Sequence, residues 1–253
     1  MKTLKFVSLV ALSMAVGGTG YAIAQTAAPA AKEAPKMKEF PSAGVEKYAR
    51  DIAAQIEKDA ELVAAIKAST AETRKLAYDE TQNRDYLWTL GRAKGKDDEE
   101  TKKGAKKAIG ALKENGRSEA DDALMAEGAK LVSSIRENAA SKKLGDMKDK
   151  TGGKVTEIFV MDGNGWNVGQ TDGTSDFYQG DEGKWQKTYL NQEIKRATAD
   201  DVRKEDTINE QGKEVLPIVE EDGIRYAQVS LPVKEGDKNI GAVTIGVDVD
   251  KVK

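Results

Sequence analysis

The hydrophobic period of this chain changes at Thr151-Gly152-Gly153, and that change restricts the fold more than any other feature. Upstream, apolar residues return every three to four positions, as on one face of a helix; downstream they alternate, as on one face of a strand. Val45, Tyr48, Ile52, Ile56, Leu62, Val63 and Ile66 fall on one stripe of a long amphipathic helix, with Ser42 placed to cap it. A second helix is expected from Ala71 to about Leu90, burying Leu76, Tyr86, Leu87 and Leu90 with Trp88 beside them, and Gly91 and Gly95 mark its end. From Ser118, a cap candidate, the stripe returns in Leu124, Met125, Leu131, Val132 and Ile135, and Leu144 and Met147 extend it.

Between these helices, Lys94 to Arg117 is dense in charge, and Ile109 and Leu112 support only a short helix. Asp98 and Lys102, and Glu99 and Lys103, stand at the i,i+4 spacing that lets opposite charges meet. Lys102, Lys103, Lys106 and Lys107 read as a solvated helix face because acids lie beside them; a docking patch for an acidic partner or a lipid surface is the alternative.

After the glycine pair, Val155 to Met161 is a strand, Asp162-Gly163-Asn164-Gly165 a tight turn, and Trp166 to Gln170 the return strand. Asp222-Gly223 joins Val215–Glu220 to Ile224–Val233, and Glu235-Gly236-Asp237 turns into the last strand, Asn239 to Val249. Ala227, Val229, Leu231, Val243, Ile245 and Val247 share one face. Tyr226, Gln228 and Ser230 share the other, opposite the small residues Ala242, Thr244 and Gly246, where a pocket for a small polar ligand would fit. Helices followed by an antiparallel meander predict an α+β fold, with long N-terminal helices packed on one sheet face. Residues 42–150 form its helical part, including a charged insertion near 94–117, and 151–253 its sheet; 42–253 are expected to make one structural domain.

Lys2 and Lys5, the apolar run Phe6 to Val16, and Ala22-Ile23-Ala24 before Gln25 have the form of a signal peptide over residues 1–24, followed by a flexible leader over 25–41. The apolar run is short and ends in Gly17 to Gly20, which argues for cleavage near Ala24 rather than an anchor, and for a periplasmic or secreted protein. The chain carries 40 basic and 43 acidic residues, and loss of Lys2 and Lys5 takes its net charge to about −5, which argues against general nucleic-acid binding. It has no Cys and no His. Disulfides, thiolate nucleophiles, imidazole bases and the common zinc sites are thereby excluded, no cofactor is expected, and the chain reads as no enzyme. Adjacent carboxylates such as Asp181 and Glu182 rarely converge on one reacting atom. Asp162-Gly163-Asn164-Gly165 fails the calcium-loop pattern at Trp166 and Asn167, and Asp172, Asp176, Asp181 and Glu182 read as solvated acids, so no metal is expected.

The residues Glu157–Asp162, Asn167–Gln170, Thr174–Glu182, Lys184–Lys187, Gln228–Val233 and Ile240–Val247, with Leu62 to Thr70 upstream, carry a resemblance. Together they resemble the single Cache family, also called PDC sensor domains, over about Val45 to Val249. The resemblance implies a PAS-like sheet preceded by a long helix, and a loop with a short helix covering the sheet. It implies pocket candidates on that cover at Asp176, Tyr178, Trp185, Gln186 and Lys187, facing Tyr226, Gln228 and Ser230. Trp185 would supply a flat wall, Asp176 would accept hydrogen bonds from an ammonium or hydroxyl group, and Lys187 would pair a ligand carboxylate; Arg225 is the other nearby cation but belongs to the opposite face. The segment Lys94 to Arg117 is longer than the family's connection, and no membrane span or signalling region follows Lys253 in this sequence.

The function so implied is a secreted periplasmic sensor that binds a small organic acid or amino acid and signals through a partner, a membrane receptor or another periplasmic protein. Self-association through Val45, Ile52 and Ile56 of the long helix would permit a homodimer. The alternative is a non-catalytic periplasmic interaction module without a small-molecule ligand.

Overall fold

The computed structural model describes residues 38–189, 208–210 and 212–252, which lie in one compact unit spanning residues 37–253. The expected signal peptide and all but the end of the leader lie outside the described residues. Among the described residues no helix is long and apolar enough to cross a membrane.

The stripe that predicts one long helix forms two. Helix α1 runs over Ala43–Lys58 and α2 over Ala60–Thr73. Ser42 caps α1 by accepting from the Val45 N–H, as its position implies. Asp59 breaks the run. Its extended backbone ends α1 while its carboxylate accepts from the Glu61 and Leu62 N–H groups at 3.0 and 3.1 Å and starts α2. Val45, Ala49, Ile52 and Ile56 of α1, and Leu62 and Ile66 of α2, remain on one buried side.

Helix α3 spans Tyr78–Ala93, α4 Glu99–Glu114, α5 Asp121–Arg136 and α6 Ala139–Asp149. The charged insertion is therefore a full helix of 16 residues rather than a short one. Ala105, Ala108 and Leu112 of α4 pack with Leu87, Leu90 and Leu124 into a separate small core. Alanine needs no large partner, so low apolar bulk understates how much of α4 is buried. Lys102, Lys103, Lys106 and Lys107 are exposed, and Lys102 meets Asp97 rather than Asp98. Asp98 caps the helix by accepting from the Thr101 N–H at 2.8 Å. Gly91, read as a stop, lies inside α3 and faces Gly128 of α5; a Cβ at either position would overlap the other helix's backbone. The stop is Gly95, which holds a positive φ of 83°. Ser118 does not cap α5, whose N-cap is Ala120.

Among the described residues seven strands form one antiparallel sheet: β1 Val155–Met161, β2 Asn167–Gln170, β3 Ile208–Glu210, β4 Lys213–Val215, β5 Val219–Glu221, β6 Ile224–Glu235 and β7 Lys238–Asp248. The order is β2-β1-β7-β6-β4-β3, with β5 also pairing β6. The fold is α+β. A short helix, α7 over Gly183–Gln186, lies between β2 and β3 in the chain. Ile158, Val160, Val168, Val229, Leu231, Val243, Ile245 and Val247 form the inner face and pack with α1, α2 and α6 in the main core. Burying each such side chain stabilises the fold by about 1.5–3 kcal/mol.

A β-bulge decides what the outer face of β1 presents. The register shifts between Val155, opposite Val247, and Glu157, opposite Gly246, so Thr156 and Glu157 together face one residue of β7. The extra residue changes the parity of everything after it. Glu157, Phe159 and Met161 then share the outer face with Thr244 and Ala242 of β7. Gly246 permits the bulge, because a Cβ there would overlap the Thr156 hydroxyl and crowd Glu157.

Candidate ligand site on the outer face of the sheet

The outer face is lined by Glu157, Phe159 and Met161 of β1, Asn167 and Gln170 of β2, Glu214 of β4, Tyr226, Gln228 and Ser230 of β6, and Ala242, Thr244 and Gly246 of β7. The chain from Thr171 through α7 covers it. Three side chains of α3 grip that cover. Asp85 accepts from the Phe177 and Tyr178 N–H groups at 2.8 and 3.1 Å, Trp88 Nε1 donates to the Thr174 carbonyl, and Arg92 donates to the Ser175 carbonyl. Their spacing of three and four residues puts them on one side of the helix.

One end of the face is filled. Trp185 packs on Phe159, Met161 and Ala242, stacks on Tyr189, and donates through Nε1 to the Asp162 carbonyl at 2.9 Å. Lys187 meets Glu214 at 2.9 Å, with their side chains 8% and 1% exposed, and the Ser230 and Thr244 hydroxyls share a hydrogen bond. The other end is open. A cavity of about 370 Å³ lies against Thr156, Glu157, Asp172, Gly173, Glu221, Asp222, Ile224 and Tyr226. Gln228 Nε2 donates to Glu157 Oε1 at 2.6 Å, and the Tyr226 hydroxyl donates to Glu221 at 3.0 Å.

The expected pocket residues thus separate into groups. Tyr226 lines the open end and Gln228 orients its Glu157, while Ser230, Trp185 and Lys187 lie at the filled end. Lys187 is already committed to Glu214 and Trp185 to packing. Asp176 sits on the cover, where its carboxylate accepts from Ser175 and its carbonyl receives the amides of Asn167 and Gln179. Gln186 donates to the Gly180 carbonyl within the cover. Tyr178 turns away toward Trp166, in the aromatic group that includes Trp88 and Phe177. Arg225 points elsewhere, to Glu39 and Asp250.

Several groups at this site have no forecast in the sequence. Burial pushes the carboxyls of Glu157 and Glu182 above the ordinary glutamate range, with neighbouring Lys184 opposing. Burial works against the Lys184 ammonium, but Glu182 at 2.9 Å together with the charges of Glu214 and Glu157 outweighs it and raises its pKa. Three amides, two on β2 beneath the cover and one in the cover itself, are 1–2% exposed, and each leaves one polar atom without a partner: Asn167 Oδ1, Gln170 Nε2 and Gln179 Oε1. Such an atom costs about 1–3 kcal/mol when nothing completes it. Among the described residues no group of three or more acids is placed to hold a metal ion.

Asp85 makes the cover sensitive to pH. Burial pushes its carboxyl up to about 6, Asp176 and Asp181 add to this, and the Tyr178 and Phe177 N–H groups oppose it. An unfolded aspartate ionises near 4, so between about pH 4 and 6 the folded chain holds a proton that the unfolded chain has released. The stability from this group is present at low pH and lost as pH rises through 6. Asp85→Asn keeps an acceptor without the charge and is expected to be about 2 kcal/mol more stable than the parent at pH 8, with the gain vanishing at pH 4. Thermal melts of both proteins at the two pH values check this, and an equal difference at both would exclude a costly charge at Asp85.

No family model matches this chain, and neither a curated protein nor a solved structure matches it.

Proposed function

We propose that this protein is a secreted, non-catalytic sensor resembling single Cache domains, which binds a small organic acid or amino acid on the outer face of its sheet and signals through a partner. The observation that carries this reading is the set of buried amides, Asn167 and Gln170 under the cover and Gln179 within it, each with an unpaired polar atom, the cover being held in place by α3. Closed apolar packing has no use for three such atoms; a polar ligand does. The cover also donates through Trp185 to Asp162, whose carboxylate is bound by Ser69 and Thr73 of α2, so a change in the cover reaches the long helices through direct hydrogen bonds. Ligand binding would shift the populations of these packings for a partner to read.

Thermal unfolding of the purified protein against small carboxylates and amino acids tests the reading. A compound at about a hundred times its Kd adds about 2.7 kcal/mol and raises the midpoint by several degrees. Gln170→Leu, which removes one unpaired amide, is expected to abolish most of that rise. No response to any compound would favour the interaction module, which the filled end of the face around Trp185 and the Lys187–Glu214 pair also supports.

A further inference from the structure

The cavity at the open end of the face carries one sign of charge. Among the described residues its charged lining is Glu157, Asp172, Glu221 and Asp222, with no lysine or arginine. The neighbouring cations are paired with other acids than Glu157: Lys148 meets Asp172 of the cavity wall at 2.6 Å, and Lys184 meets Glu182 at 2.9 Å. Glu157 is the deepest of the acids. It takes one hydrogen bond, from Gln228, and among the described residues no cation forms an ion pair with it. Lys184 and Lys148 act on it only from a distance, and a carboxylate held largely away from water without a directly paired cation is costly; the usual remedy is a cation.

One group on the cavity wall and one on the buried face beyond Glu157 lack partners. The Thr156 hydroxyl, on the cavity wall beside Glu157, has none, and the buried Gln170 amide leaves Nε2 free. Gln170 lies opposite Phe159 in the β1–β2 pairing, one outer-face step from Glu157, and its other end accepts from Thr174 of the cover. Its amide therefore stands between sheet and cover. The Tyr226 side chain, fixed through its hydroxyl to Glu221, adds an aromatic wall of the kind that attracts ammonium groups.

We propose that the ligand of this site presents an ammonium group to Glu157, so that the protein binds an amine or an amino acid and not a simple carboxylic acid. This rests on the sensor reading above and narrows its ligand class. The ammonium lies in the acid-lined cavity with Glu157 and the Thr156 hydroxyl as acceptors, and an acceptor elsewhere on the same molecule takes the Gln170 Nε2 hydrogen bond. A bare divalent cation is a poorer fit, because the acids line a wall without converging on one point.

Calorimetric titration and thermal unfolding of the purified protein with ethylamine, 1,4-diaminobutane and alanine, beside acetate, succinate, Ca²⁺ and Mg²⁺, test the assignment. Binding by at least one ammonium compound is expected, with affinity at least tenfold weaker in Glu157→Gln. That substitution keeps an acceptor for Gln228. Glu221→Gln, at the exposed rim, should weaken binding about threefold and guards against a folding defect in the first variant. Response to acetate or succinate alone would overturn the ammonium assignment and leave the sensor reading standing. Response to the divalent cations alone, or amine binding unchanged in Glu157→Gln, would also overturn the assignment. Silence from every compound would overturn both.

Discussion

Asp162→Ala is expected to cost about 4 kcal/mol of stability and to lower the melting midpoint by about 10 °C, which a pair of thermal melts will show. The carboxylate is fully buried and receives four hydrogen bonds: from the Ser69 and Thr73 hydroxyls at 2.7 and 2.8 Å, and from the Asn164 and Trp166 N–H groups at 2.8 and 3.0 Å. Alanine would leave all four donors facing a gap. Around it, the Thr70 hydroxyl accepts from the Gly163 N–H, and the Asn164 amide donates to the Thr70 carbonyl and the Thr73 hydroxyl. The β1–β2 turn thereby grips the last turns of α2, and the Asp162 carbonyl holds Trp185 of the cover. Asp162→Asn should be milder, because its oxygen can keep the Asn164 and Trp166 N–H groups while its NH₂ donates to the Ser69 and Thr73 hydroxyls, which can also accept. A loss below about 1 kcal/mol in Asp162→Ala would mean that water replaces the carboxylate.

Lys187→Met is the second substitution with a large expected effect, a loss of about 3–5 kcal/mol, because it strips Glu214 of its counter-charge in a site closed to water. Lys187→Met with Glu214→Leu should recover most of that loss, since two apolar side chains of similar size can replace a buried ion pair at little cost. Urea unfolding of the parent, the two single variants and the double variant closes the cycle. The same experiment separates the two roles available to Lys187. If it were reserved for a ligand carboxylate, its removal would be mild without ligand and the double variant would restore nothing.

The helical stripes, the boundaries of β1, the glycine-rich turn and the alternation of β6 and β7 were legible because each depends on neighbours in sequence. Ala227, Val229 and Leu231 alternate with Tyr226, Gln228 and Ser230 just as the two faces require. Misreadings arose where a polar residue has two uses. Asp59 can continue a helical face or cap a new helix, and it does the latter because its extended backbone lets its carboxylate reach the N–H groups of α2. Gly91 resembles a terminator but serves a close helix crossing with Gly128, 37 residues later, which no local rule anticipates.

The candidate site was only partly legible for the same reason. The sequence by itself determined which β6 side chains look away from the core, that catalysis by Cys or His is unavailable, and that a covering segment follows β2. Only the tertiary structure decided that Lys187 is spent on Glu214, that Tyr178 joins the aromatic group against α3, and that Glu157 faces the open cavity. The Glu157 outcome turns on one bulge: simple alternation would put Glu157 on the same face as Val155, and the extra residue opposite Gly246 moves it to the other. Strand parity is local, but where it slips depends on a glycine 89 positions away in another strand, and that dependence belongs to the folded sheet alone.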